Sequence, residues 1–211
     1  MKVIKIEPKK FSEKLFSMKG ISKKTVEEHL KLYLGYVNKY NEIQKKLSTL
    51  KDEDFAKANQ VFSTIRELKI ELSFAWGGVI NHEIYFFHLG GKGGKATGGL
   101  LKQIEKDFGS FENYKKDLKA TGISARGWVW TGFNYREERL VNYLGDSQNT
   151  YSMWGVEPIV ALDTYEHAYF IDYGVNRADY IDSFFENLDW KIIEENFKDI
   201  VGCCGEDCQC Q

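Results

Sequence analysis

The sequence predicts an α+β protein: a long antiparallel helical hairpin at the N-terminus, followed by an α/β lobe built on a three-stranded antiparallel sheet. Three observations lead there. Apolar residues recur at helical spacing through the first third of the chain, a glycine-rich stretch interrupts them, and short aromatic and β-branched runs bounded by turn residues then appear. The implied divisions are a hairpin domain over 1–92, an α/β domain over 93–200 and a cysteine-rich tail over 201–211.

From Ser22 to about Leu50, Val26, Leu30, Tyr33, Val37, Tyr40 and Leu47 mark one face of a helix, with Ser22 as its N-cap. A second helix is predicted from Asp52 to Leu89, polar at first and increasingly apolar. The stretch GGKGGKATGG at residues 90–99 ends it and serves as a linker. It follows a helix rather than a strand, which argues against a phosphate-binding loop. Two short helices are expected next, broken at Gly109 and restarted by Ser110. The runs GWVWTGFNY, RLVNYLGD and EPIVALD supply three strands, and helical periodicity returns from Glu166 to Ile200.

Composition narrows the function. With 211 residues, 43% hydrophobic and 15% aromatic, the chain is globular rather than disordered. A formal charge of −2 gives no general electrostatic footprint for nucleic acid. The opening MKVIKIEPKK lacks the apolar stretch of a secretory signal, and no apolar run is long enough to span a membrane, so a cytoplasmic location is expected. All four cysteines, Cys203, Cys204, Cys208 and Cys210, fall in the last nine residues. They suit either a tail of redox-reactive thiols or a soft-metal site.

The stretch ALDTYEHAYFIDYG sets Asp163 and His167 four positions apart in apolar, aromatic surroundings. A carboxylate removed from water requires compensation, by a cation or by hydrogen bonds such as those of a helix cap. Two further histidines, His29 and His82, sit on the strongly patterned helices. Together with Asp163 and His167 they make a set suited to iron or manganese with a coordination position left open. His88, six positions after His82, points elsewhere around the helix and is assigned a structural or surface role.

The segments NHEIYF, KDFGSFENYKKDL, ARGWVWTGFN and LDTYEHAYFIDYGVNRADYI resemble those of the iron/manganese superoxide dismutases, and the likeness extends from about Ile21 to Phe197. The resemblance implies His29, His82, Asp163 and His167 as ligands of one Mn or Fe ion. It also implies a reaction in which superoxide is converted to dioxygen and hydrogen peroxide as the ion cycles between +3 and +2. In that family a glutamine amide hydrogen-bonds the ion's solvent ligand from one of two places. Here one place is Gly78 and the other Gln148, which resembles the manganese type. Trp128, Trp130 and Tyr165 correspond to residues walling the pocket. Glu166 corresponds to a residue bridging to the partner's His167, which implies a homodimer or tetramer.

The match departs from the family at the gate. Tyr36 follows His29 by seven positions instead of eight, which still returns it to nearly the same helix face. The expectation is a regular helix from which a bulge has been deleted. Leu32 and Phe170 stand where a histidine and its tyrosine partner usually join the proton route, with Tyr33 or water as substitute. Arg177 is a candidate for drawing in the anion or, equally, for a surface salt bridge. A metal-storage or sensing protein on the same fold is the alternative function.

Overall fold

The computed structural model describes residues 3–150 and 153–202. Helix α1 spans Lys23–Ser48, and the Ser22 hydroxyl accepts from the Thr25 amide to cap it. Asp172 adds a second cap from a distant segment, accepting from the Ser22 amide and the Thr25 hydroxyl. The helix is α throughout, without a π turn, as the shortened His29–Tyr36 spacing requires.

The second helix differs from expectation. A short α2, Asp52–Ala56, is followed by a loop, and α3 runs from Thr64 to Phe87. The reason is local side-chain competition: the Asn59 side-chain oxygen accepts from the amides of Val61 and Phe62, and Ser63 then caps α3 through the Arg66 amide. Val61 and Phe62 are left 81% and 79% exposed, so no apolar face drives the segment into the helix.

Residues 90–97 are pinned rather than loose. Gly91 and Gly93 donate to the carbonyls of Asn187 and Leu188. Helix α4, Gly98–Phe108, has its first amides capped by the Glu194 carboxylate, which accepts from Gly99 and Leu100. Gly109 adopts φ +80 to close α4, and Ser110 caps α5, Phe111–Ser124, by accepting from Asn113.

The sheet comprises β1 Trp128–Asn134, β2 Arg139–Gly145 and β3 Val156–Asp163, antiparallel in the order β2-β1-β3. β1 is central and buried along its whole length. The C-terminal part is less continuous than its periodicity suggests: a 3-10 turn at Glu166–Ala168, then α6 Phe170–Tyr173, α7 Arg177–Glu186 and α8 Trp190–Gly202. Gly174, at φ +54, ends α6 and separates it from α7.

One apolar core joins Val26, Tyr33 and Val79 of the hairpin to Val129, Ile159 and Leu162 of the sheet and Phe184 of α7. A smaller cluster, Tyr40, Ile43, Leu47, Leu68 and Ala75, holds the far end of the hairpin. Among the described residues no helix is long and apolar enough to cross a membrane. The four cysteines lie outside the described residues.

His88 is structural and fully interior. It C-caps α3, and its Nε2 accepts from the Ala161 amide at 3.0 Å, tying α3 to β3. Burial lowers its pKa to about 3. Between that value and the unfolded value of 6.5, only the unfolded chain takes up this proton, so stability is lost as pH falls, at up to about 1.4 kcal/mol per pH unit. In His88→Gln, which retains an acceptor, the urea midpoint should decline less steeply between pH 7 and pH 5 than in the wild type with the same ion bound.

Candidate metal centre

Four elements deliver four side chains to one point. His29 projects from the buried face of α1, His82 from α3, Asp163 from the last residue of β3 and His167 from the 3-10 turn. Their donor atoms all lie within 4.8 Å of one another. Asp163 Oδ2 is 3.0 Å from His29 Nε2, 3.0 Å from His167 Nε2 and 3.8 Å from His82 Nε2. Asp163 Oδ1 accepts from the Tyr165 amide, so the carboxylate also organises the turn that carries His167. The N-cap of that turn is Tyr165, without a side-chain cap, so Asp163 is not its cap, although it accepts from the capping residue's amide.

The His82 tautomer is set by its neighbour. Nδ1–H donates to the Gly78 carbonyl at 2.5 Å, leaving the Nε2 lone pair directed at the cluster. That Nε2 is buried and has no hydrogen-bond partner. An orphaned buried acceptor is costly, and a cation at the centre of three imidazole nitrogens and one carboxylate oxygen satisfies it. The donor set thus fits one iron or manganese ion.

For His29, His82 and Asp163 electrostatics agree with that fit. Burial lowers the pKa of His29, and that of His82 to about 3, keeping both imidazoles neutral and able to ligate. Burial alone would raise Asp163. The charge and hydrogen bond of His167 and the hydrogen bond of His29 outweigh it, so Asp163 stays below the usual carboxylate range. For His167 burial opposes protonation, but the Asp163 carboxylate prevails and raises its pKa.

Around this set lies a hydrogen-bonded layer. Gln148, in the segment after β2, reaches over α3 and is buried. The Trp128 indole N–H only donates, so the Gln148 oxygen must face it, at 2.9 Å, and the amide nitrogen then donates to the Tyr36 hydroxyl at 3.1 Å. Two glycines permit the approach. A Cβ at Gly77 would lie 2.0 Å from the Gln148 carbonyl oxygen, and one at Gly78 would lie 2.5 Å from the Tyr36 ring. A larger residue at 78 is therefore incompatible with this placement of Tyr36.

The residue missed by sequence reasoning is Asn81. Its Nδ2 donates to the Gln148 carbonyl at 3.1 Å, and its Oδ1 accepts from the Trp130 indole at 3.2 Å. Its signal was a polar residue beside His82 on an otherwise apolar face. Trp128 meets His82 edge-on at 5.2 Å and Tyr165 stacks on His167 at 5.3 Å, whereas Trp130 lies one ring further out, against Trp128. Tyr36 lies 5.4 Å from His82 and also lines a cleft of about 390 Å³ with Lys31, Leu32, Lys39 and Phe74. Glu166 is exposed on the 3-10 turn.

The Tyr33 hydroxyl accepts from the Lys9 amide and donates to Glu83. One expectation is corrected. Among the described residues Arg177 makes no surface salt bridge. Its guanidinium donates to the carbonyls of Gly122, Ile123 and Ala125 and to the Tyr169 hydroxyl, compensating the C-terminal end of α5.

Comparison with known proteins decides the family. A profile described as iron/manganese superoxide dismutases, C-terminal domain, matches residues 96–196. The Fe superoxide dismutase of Aquifex aeolicus is 44% identical over 201 residues, covering 94% of this chain and 93% of that protein. The chain belongs to the iron/manganese superoxide dismutases. The Fe enzyme of Aquifex pyrophilus is 43% identical over the same shares of each chain, and the mitochondrial Mn enzyme of Glossina morsitans morsitans is 30% identical over 84% of this chain and 81% of its own.

This superoxide dismutase converts superoxide to dioxygen and hydrogen peroxide by cycling one Mn or Fe ion between +3 and +2, and the storage or sensing alternative is set aside. In the dismutase, Gly77→Ala should force the Gln148 segment outward. A loss of about 1–3 kcal/mol in urea unfolding is expected, as for overpacked cores, together with a changed visible spectrum of the ion.

Proposed function

We propose that His29, His82, Asp163 and His167 hold the ion, and that Gln148 and Tyr36 control the protons delivered to it. The observation that carries this reading is the convergence of the four donor atoms, with the unpartnered His82 Nε2 among them. When bound, the ion supplies the one-electron steps.

The chain's own residues do the rest. Because the Gln148 amide donates to the Tyr36 oxygen, the Tyr36 O–H is directed elsewhere and is available as a donor beside the centre. Burial raises the Tyr36 pKa and keeps that proton in place at neutral pH. Trp128, Trp130 and Tyr165 exclude water, so fixed dipoles act in a low dielectric. Asn81 anchors the Gln148 backbone and acts through it as a positioning residue.

Manganese is the preferred ion on this reading, since the glutamine reaches in from the sheet side and Gly78 offers none from α3. Iron is the second reading, favoured by the names of the two Aquifex relatives. A homodimer, or a tetramer built from it, is proposed with Glu166 reaching the partner's His167. Leu32, Phe170 and Ile171, at 40%, 52% and 46% exposed, offer the apolar surface such an association would cover. A cytoplasmic location completes the proposal.

Superoxide consumption per bound ion, measured on one preparation loaded separately with manganese and with iron, tests the centre. Higher activity with manganese is expected. Equal or higher activity with iron favours the second reading, and inactivity with both ions at full occupancy overturns the residue roles. For the assembly, Glu166→Ala should weaken self-association about tenfold, or ~1.4 kcal/mol, in sedimentation velocity. An unchanged dissociation constant contradicts the bridge.

A further inference from the structure

A continuous run of oxidisable rings leaves the centre along the sheet. Trp128 meets His82 edge-on at 5.2 Å, Trp130 stacks on Trp128 at 6.4 Å and 18°, and Tyr143 stacks on Trp130 at 5.1 Å and 27°. Strand register builds it. Trp128 and Trp130 are two apart on β1 and share a face, and Tyr143 is the cross-strand partner of Trp130 on β2. Glycines seat the rings closely: a Cβ at Gly145 would lie 2.8 Å from the Trp130 ring, and one at Gly132 would lie 3.3 Å from the Tyr143 ring. Trp128 and Trp130 are buried and Tyr143 is partly exposed, so the run leads outward.

We propose that Trp128, Trp130 and Tyr143 form a relay that carries stray oxidising equivalents from the centre to Tyr143. It rests on the reading that Trp128 walls the ion's pocket. The oxidant is hydroxyl radical, formed when the product hydrogen peroxide accepts one electron from superoxide. The O–O bond breaks to give hydroxide and hydroxyl radical, and the superoxide leaves as dioxygen. Hydroxyl radical takes one electron from Trp128 and becomes hydroxide. Trp128 is refilled from Trp130 and Trp130 from Tyr143. Tyr143 loses its phenolic proton to water and becomes a neutral phenoxyl radical. A further superoxide returns the electron, and with one proton taken from water the phenol is restored and dioxygen is released.

Hydrogen bonding favours movement over trapping. The Trp128 and Trp130 indoles donate to the amide oxygens of Gln148 and Asn81, which are poor bases, so each oxidised indole keeps its proton and passes the hole on. Tyr143 alone in this run has an exit for its proton. Tyr36 and Tyr165 also lie beside the centre and are partly exposed, but neither continues into a run of oxidisable rings like that of the sheet. The next ring beyond Tyr36 is Phe74, which is far harder to oxidise. Tyr85 leads to Tyr180 by a hydrogen bond at 3.2 Å, but both are buried, and Tyr180 donates to the Asp163 carbonyl.

The test compares the metal-loaded wild type with Tyr143→Phe, which keeps the stacked ring, under hydrogen peroxide and a steady superoxide source. Freeze-quenched electron paramagnetic resonance reads the tyrosyl radical, and peptide mass spectrometry reads oxidation at positions 128 and 130. The relay predicts a tyrosyl signal in the wild type. In Tyr143→Phe the signal should be lost and Trp128 and Trp130 oxidation should rise several-fold, with dismutase activity before exposure unchanged. Trp130→Phe, which interrupts the run midway, should raise Trp128 oxidation and abolish the signal. Equal tryptophan oxidation in an active wild type and an active Tyr143→Phe overturns the relay alone. A loaded but inactive wild type overturns the reading of the centre and the relay with it.

Discussion

A carboxylate fully buried from solvent, with three imidazoles turned towards it, is the constraint on which the rest of this structure depends. Asp163 is fully buried, at the end of β3, and His29 and His167 both meet the same oxygen. Desolvating that charge costs several kcal/mol unless the geometry compensates. The compensation comes from α1, α3, β3 and the 3-10 turn together, so the hairpin and the sheet must meet at one registered position. An ion held there would stabilise the arrangement of all four and so couple occupancy to folding.

The next layer shows how close packing serves that centre. Gln148 enters from the sheet side over Gly77 and Gly78, where any side chain would collide with it or with Tyr36. The continuous α-helical path of α1 brings Tyr36 to the same place with one residue fewer than the family spacing. Asn81 and the two indoles then fix the amide in one orientation, so the Tyr36 hydroxyl has a defined donor on one side and a free direction on the other.

What was legible in the sequence was whatever is specified locally. Ser22, Gly109 and Ser110 announce helix ends through their own backbone chemistry, and the structure places caps or a left-handed residue at each. The three strands stood out because they are rich in β-branched or aromatic residues between turns. The His29, His82, Asp163 and His167 set was visible because chemistry-bearing residues lay on apolar faces. Features fixed by tertiary partners were not legible. Residues 57–63 have a helix-compatible composition, but the Asn59 side chain claims the next amides. The anchors of Arg177, Tyr33 and His88 lie on distant segments, and periodicity carries no information about them.

The most direct measurement is anomalous diffraction from crystals of the metal-loaded enzyme, recorded on either side of the manganese and iron absorption edges. A single anomalous peak per chain is expected within bonding distance of His29 Nε2, His82 Nε2, Asp163 Oδ2 and His167 Nε2, with Gln148 and Tyr36 beside it. A peak bound elsewhere, or full metal content with His82 Nε2 still unligated, would contradict this centre.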